Sequence, residues 1–269
     1  MNKKIVVLDD YENAYKRLSN WGEIESKAQV EIFHQPLTGE ALLKALKGVH
    51  GLVLMRDRTP LQAGLIEQLP LLEHVVFTGT RNLALDVAAL KARNITISHT
   101  EWGPSKESTA ELTWALILGI HKRIVEQNTL LLKQEWRNTN SLLPVLNGQT
   151  LGLIGLGEIG SRVAKVAQAF GMNVLTWSPN MTPERAAAIG VTSVSLEELL
   201  KRSQIISLHL VASPTTKGLL SKEKIALMQK YALLINTSRS TLVDTEALVH
   251  ALNNRLIGGA AIDVFDHED

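Results

Sequence analysis

Residues 151–160 read Leu-Gly-Leu-Ile-Gly-Leu-Gly-Glu-Ile-Gly, so Gly155, Gly157 and Gly160 form a G-x-G-x-x-G pattern. Such a pattern binds a dinucleotide when a strand leads into it and a helix follows. Gly155 permits the tight turn, Gly157 lets a pyrophosphate approach the backbone, and Gly160 lets the helix pack close to the strand. The helix start then offers free N–H groups and a partial positive charge to the phosphates. Glu158 and Ile159 complete the turn and count with the glycines as cofactor-binding residues. The context fits: an apolar run precedes, and Val163, Ala164, Ala167 and Phe170 share one face of the segment that follows. Gly171 stands where a C-terminal helix cap belongs. A strand–turn–helix that binds nothing is the competing reading, because glycines also populate ordinary turns.

A carboxylate about 20 residues further on usually holds the adenosine ribose. Here the segment is Thr176-Trp177-Ser178-Pro179-Asn180, and Ser178 occupies that place. Without the carboxylate, a 2′-phosphate is no longer repelled. The cofactor is therefore NAD, with Ser178 bonding the ribose, or NADP, with Arg185 as a distant partner. Other chemistries are narrowed by composition. With no cysteine among 269 residues, disulfides, thiolate zinc sites and cysteine nucleophiles are excluded, which fits a reducing cytoplasm. No metal site is expected. Lys plus Arg is 28 and Asp plus Glu 27, which argues against a nucleic-acid or polybasic membrane binder. The longest apolar run, 112–120, is about half a membrane span. The start, Met1-Asn2-Lys3-Lys4-Ile5-Val6-Val7-Leu8-Asp9-Asp10, is too briefly apolar for a signal peptide.

These residues need strands and helices to hold them. Short β-branched runs at 5–8, 30–33, 52–55, 75–77 and 95–97 alternate with segments such as 39–47 and 60–68, which carry Leu at helical spacing. That alternation predicts βαβ units and a parallel sheet. A second series follows, with strands at 151–154, 173–177, 191–194, 205–210, 232–236 and 259–264 and helices starting near Ile159, Ser195 and Asp244. The expected fold is α/β, with two doubly wound parallel-sheet domains over 1–105 and 106–269. Between the series, Ser108 with Glu111, like Ser195 with Glu198, reads as a capping box. The run 112–120 has almost no polar face, which predicts burial between domains or between subunits. The polar stretch 138–148, broken by Pro144, reads as a connection.

Taken together, the motifs resemble the D-isomer-specific 2-hydroxyacid dehydrogenases over nearly the whole chain. The resemblance is strongest in 152–160, Ser207-Leu208-His209-Leu210, Leu234-Ile235-Asn236-Thr237-Ser238-Arg239 and 259–268. It is weaker in Met55-Arg56-Asp57-Arg58-Thr59-Pro60, Thr78-Gly79-Thr80-Arg81-Asn82 and Thr109-Ala110-Glu111. It implies a flavodoxin-like substrate domain and a Rossmann NAD(P)-binding domain, with the active site in the cleft between them. The implied reaction interconverts a D-2-hydroxy acid and its 2-keto acid. Such a reaction needs a positioned nicotinamide, a cation for the carboxylate and ketone, a proton donor, and a carboxylate that keeps the donor charged.

By this resemblance Arg239 is the cation, standing past a strand at the carboxyl edge where α/β folds bind ligands, with a guanidinium fork that matches a carboxylate. Glu268 is the carboxylate that raises the catalytic histidine's pKa. Asp263 anchors the nicotinamide amide, and Thr237 lines the cofactor side. Gly79 and Thr80 belong to a loop whose backbone amides take the substrate carboxylate. Arg56 matches a position that reaches a substrate's acidic group, or is a solvated residue after a strand. His209, at a strand end, reads as a packing or cofactor-edge residue. The chain departs from the family pattern at Arg81, Ala84 and Ser240, where Gly, Asn and Gly are usual, and this leaves the substrate open.

The family's catalytic histidine follows the Glu268 motif by a further strand, and the sequence stops at Asp269. The expectation is therefore a chain shortened from a longer one, or one that has lost its acid, with impaired turnover. His267 adjoins Glu268, but neighbouring loop residues usually point apart. A rival function is that of a dinucleotide-sensing interaction protein or an inactive remnant of the family. Formate dehydrogenase chemistry finds no small-substrate signature in the N-terminal half. The family usually forms homodimers through its nucleotide domain, and the helix from Leu112 and the segment around Trp136 are the nominated surfaces.

Overall fold

The computed structural model describes residues 3–101, 103–136 and 142–266. The chain divides into two compact units, Met1–Gly103 and Pro104–Asp269. The division falls just ahead of the helix Ser105–His121, slightly earlier than the 105/106 boundary read from the sequence.

The first unit is a five-stranded parallel sheet built from β1 (Lys3–Val7), β2 (Ala28–Ile32), β3 (Gly51–Leu54), β4 (His74–Phe77) and β5 (Thr96–His99), in the order β2-β1-β3-β4-β5. Strand side chains alternate between two helix-covered faces, so Val6, Leu52, Leu54 and Val75 join Leu46, Ile66 and Leu90 in one core. The helix expected over 60–68 contracts to Ala63–Ile66. The reason is local: Leu61 forms a bridge with Leu85, its N–H bonding the Ala84 carbonyl at 2.9 Å. That bond takes Leu61 out of any helix.

The second unit holds β6 (Thr150–Ile154), β7 (Asn173–Trp177), β8 (Thr192–Ser193), β9 (Ile205–Leu208), β10 (Leu233–Asn236) and β11 (Gly259–Ile262) in one parallel sheet ordered β11-β10-β9-β6-β7-β8. The order reverses between β6 and β9, which opens a crevice at the carboxyl ends of those strands. Leu151, Leu153 and Ile235 pack against the helices Ser105–His121 and Glu158–Ala169. Ile154, Ile206 and Leu234 pack on the other face against Leu196–Arg202 and Thr245–Asn253. Both faces are covered, which accounts for the nearly continuous apolar strands.

Two capping expectations change. Ser108 does not cap a helix: its N–H bonds the Pro104 carbonyl at 3.0 Å, inside a helix that already begins at Ser105. Pro104 sets that start, since it donates no backbone hydrogen bond of its own. Ser195 does cap its helix, accepting from the Glu198 N–H at 3.1 Å. The reciprocal half is not made, because the Glu198 carboxylate pairs with Arg202 instead. The run 112–120 is likewise one-sided. Trp114 and Ile117 are buried, whereas Leu112 is exposed. Asn138, at the head of the expected connection, lies outside the described residues, as do His267 and Glu268. Among the described residues no helix is long and apolar enough to cross a membrane, and no cluster of acidic or histidine side chains could hold a metal ion.

Candidate dinucleotide and substrate sites

The three glycines of the 155–160 turn are there for three different reasons. Gly155 has φ +105°, and a Cβ would stand 2.7 Å from the His209 carbonyl carbon and oxygen. Its N–H bonds the Trp177 carbonyl at 2.8 Å, which ties β6 to β7 at the mouth of the turn. Gly160 lies against the Gly155 carbonyl oxygen, so any Cβ there would push the helix off the strand. Gly157 has an ordinary φ of −83°, and no atom lies within 4 Å of where its Cβ would be. Among the described residues nothing requires a glycine at 157, so the space it leaves is open to a ligand. It also precedes the twelve-residue helix Glu158–Ala169, which has no side-chain cap. The N–H groups of a first helical turn have no partner within the helix, and they sum with the helix dipole into an anion site. A dinucleotide pyrophosphate fits this cradle. Glu158 and Ile159 provide N–H groups of that first turn, and Ile159 also packs on the core.

Ser178 follows directly on β7 and is half-buried, with its carbonyl accepting from Met181 at 3.1 Å. Arg185 belongs to a short helix, Pro183–Ala187, and its Nη1 donates to the Asn180 carbonyl at 2.8 Å. The guanidinium is thus folded onto the loop that carries Ser178.

The ends of β9, β10 and β11 are laced together beside the glycine turn. Asn236 is buried at the end of β10. Its Nδ2 donates to the Arg239 carbonyl at 2.9 Å, and its Oδ1 accepts from the Ser238 N–H at 3.0 Å. Its own carbonyl accepts from the Asp263 N–H at 2.9 Å. Ser238 Oγ donates to Leu210 at 2.5 Å, joining this turn to β9. One asparagine therefore fixes the backbone under both Arg239 and Asp263. Arg239 itself is exposed, and its Nη1 donates to the Ser238 carbonyl at 2.7 Å. Thr237 is turned inward, its hydroxyl 2.9 Å from that of Thr113 in the helix Ser105–His121. His209 is half-buried, its Nε2 within 2.9 Å of Ser207 Oγ. Burial pushes its pKa down to about 4. It is neutral near pH 7 and cannot serve there as a charged proton donor.

In the first unit the loops after β3 and β4 meet at the carboxyl edge of their sheet. Arg56 adopts a left-handed conformation, φ +51°, and its N–H bonds Thr78 Oγ1 at 3.0 Å. Asn82 Nδ2 donates to the Arg56 carbonyl. Gly79 has φ +87° and open space at its Cβ position, but its N–H is already given to Thr100 Oγ1 at 2.9 Å. Amides offered by this loop to an anion must then come from Thr80 and Arg81.

Comparison with known proteins settles the family. Residues 114–269 match the model of the D-isomer specific 2-hydroxyacid dehydrogenase NAD binding domain. The chain belongs to the D-isomer specific 2-hydroxyacid dehydrogenase family. It is 35% identical over 271 residues to glyoxylate reductase of Aeropyrum pernix, covering 98% of this chain and 79% of that one. It is 36% identical to D-3-phosphoglycerate dehydrogenase of Methanocaldococcus jannaschii, where the match covers 98% of this chain and spans about half (49%) of that relative's length. Among solved structures, D-lactate dehydrogenase of Aquifex aeolicus, complexed with NAD and lactic acid, superposes with a TM-score of 0.82 at 30% identity. That match covers 98% of this chain and 78% of the other. Each sheet of this dehydrogenase-family chain also has the doubly wound order expected from its sequence.

Within each unit, most of the sequence-nominated residues gather at one sheet edge. Gly155, Gly157, Glu158, Ile159, Gly160, Ser178, Thr237, Arg239 and Asp263 lie at the carboxyl edge of the second sheet. Arg56, Gly79 and Thr80 lie at that of the first. Sequence reasoning missed Asn236 and Thr113, whose roles depend on partners three and 124 residues away. It also missed Asp9 and Asp10. Both are buried at the end of β1, where Asp9 accepts from Thr59 Oγ1 at 2.6 Å and Asp10 from the Ala14 N–H at 2.7 Å. A paired acid directly after an apolar strand was the available signal.

Proposed function

We propose that this chain carries the dinucleotide and keto-acid machinery of an NAD(P)-dependent D-2-hydroxyacid dehydrogenase, interconverting a small 2-hydroxy acid and its 2-keto acid. The observation that carries the reading is the empty space at Gly157 in front of an uncapped helix, with the Arg239 turn laced beside it. When bound, the nicotinamide supplies or accepts the hydride. Arg239 holds the substrate carboxylate and polarises the ketone with its forked donors. Asp263, its backbone fixed through Asn236, anchors the nicotinamide amide. In the first unit, the amides of Thr80 and Arg81 in the loop that begins at Gly79, and the side chain of Arg56, receive the anionic groups of the substrate. That substrates of this size suit the site is supported by the relatives, whose names give glyoxylate, lactate and 3-phosphoglycerate.

Titrating NADH and NADPH against the purified protein, followed by nicotinamide fluorescence, tests the reading. Saturable binding of at least one is expected. Because Ser178 carries no charge, NADPH should bind within about tenfold of NADH, a difference of about 1.4 kcal/mol. Failure of both to bind would refute the dinucleotide site.

We further propose that the chain forms a homodimer through its second unit. The helix Ile124–Leu132 buries no residue, Val125 and Leu132 are 80% and 78% exposed, and Trp136 is 75% exposed. Apolar surface of this extent on one segment supports an interaction face there. Sedimentation velocity should give twice the chain mass of 29.6 kDa, and a clean monomer at micromolar concentration would remove the idea.

A further inference from the structure

Glu158 sets a problem for the dinucleotide site. It is the first residue of the helix whose N-terminus faces the pyrophosphate cradle. A carboxylate there is favourable while the helix end is empty, but it repels a ligand that brings two negative charges to the same turn. The side chain is not left alone. Lys106, on the first turn of the helix Ser105–His121, forms an ion pair and hydrogen bond with Glu158 Oε2. The Lys106 side chain is only 25% exposed, so its charge is less screened than that of a free surface lysine. From the other side Arg162 donates to the Glu158 carbonyl at 3.0 Å, with Nη1 3.8 Å from the carboxylate. Arg162 is itself engaged by Glu107 through Nε at 3.0 Å and Nη2 at 2.5 Å. Two helix starts, bridged by Lys106 and Glu158 which stand 52 residues apart in sequence, are thus joined by a network of two acids and two bases.

We propose that Lys106 is a positioning residue for dinucleotide binding: its ion pair neutralises Glu158 and draws that carboxylate toward the Ser105–His121 helix, so that the glycine turn can accept a pyrophosphate. The inference rests on the dinucleotide reading above. Lys106 acts through Glu158 and makes no contact with the cofactor. Its effect is electrostatic and therefore depends on salt.

A double-mutant cycle on the full chain tests it, reading NADH affinity by fluorescence at low and at 0.5 M salt. Lys106→Gln should weaken NADH binding about two- to fivefold at low salt, the range of a single charge near a helix end, and by less at high salt. Glu158→Gln should tighten binding. Lys106→Gln made in the Glu158→Gln background should cost nothing further, and Lys106→Arg should keep the affinity of the unmodified protein. Two results would overturn the inference. One is no loss in Lys106→Gln at low salt. The other is an equal loss in the Glu158→Gln background, which would make Lys106 a direct phosphate ligand. Circular dichroism of each variant checks the fold. If the unmodified protein binds neither NADH nor NADPH, the dinucleotide reading fails and this inference with it. If the unmodified protein binds and the cycle shows no coupling, only the inference fails.

Discussion

Alanine at 157 should weaken dinucleotide binding roughly ten- to a hundredfold and leave the fold standing, while alanine at 160 should do damage to the fold itself. A Cβ at 157 meets no atom of the described residues within 4 Å. The poorer helix cap and the reduced freedom of the unfolded chain offset each other to within about 1 kcal/mol. The melting temperature of Gly157→Ala should therefore move by no more than about 4 °C. The same methyl group stands where the pyrophosphate must approach the backbone. Overpacking of that kind costs about 1–3 kcal/mol, so NADH affinity should fall roughly ten- to a hundredfold. At 160 the added carbon meets the Gly155 carbonyl oxygen, and the helix Glu158–Ala169 must shift off β6. Gly160→Ala should then lower the melting temperature by roughly 4–12 °C. Thermal unfolding and NADH titration of the two variants give the comparison. Equal affinities for unmodified protein and Gly157→Ala would mean that the open space at 157 is not a ligand's place.

Arg239→Lys is expected to cost about a hundredfold or more in kcat/KM for reduction of glyoxylate or pyruvate, with NADH affinity within about twofold of the unmodified protein. Lysine keeps the charge and loses the planar fork, which is what a carboxylate and an adjacent ketone oxygen require. Loss of one preorganised donor to a developing oxyanion commonly costs 10²–10³ in rate, or about 3–4 kcal/mol. The turn should survive the change, since Asn236 grips its backbone and the one bond described for the guanidinium is to Ser238. Steady-state kinetics alongside NADH titration separate the two effects. A loss in kcat/KM below fivefold would move the carboxylate-binding role to another residue.

Much of the architecture could be read without coordinates, because parallel strands covered on both faces must be continuously apolar and must alternate with helices. All eleven strands among the described residues overlap runs picked out that way. The glycine turn was legible too, since backbone turns and close approaches leave their mark in residue type. What failed was local competition. Ser108 and Glu111 have the spacing of a helix start, yet Pro104 begins the helix a turn earlier. Leu61 sits in a helical pattern and is claimed by a bridge to Leu85. Sequence spacing records what a residue can do, and a nearby stronger partner decides what it does.

The same division runs through the site. The types Gly-x-Gly-x-x-Gly, Asn-Thr-Ser-Arg and the uncharged Ser178 pointed to a dinucleotide fold, to the arginine we propose as the anion binder, and to NAD and NADP as alternatives, because such readings rest on backbone freedom and side-chain chemistry. Contacts between distant segments could not be read in this way. The burial that holds His209 neutral, the asparagine under Arg239 and Asp263, the hydroxyl pair of Thr113 and Thr237, and the lysine that offsets Glu158 all depend on which strand ends and helix starts become neighbours. Desolvation and Coulomb interactions act over a few ångströms of space, and only the folded chain fixes those distances.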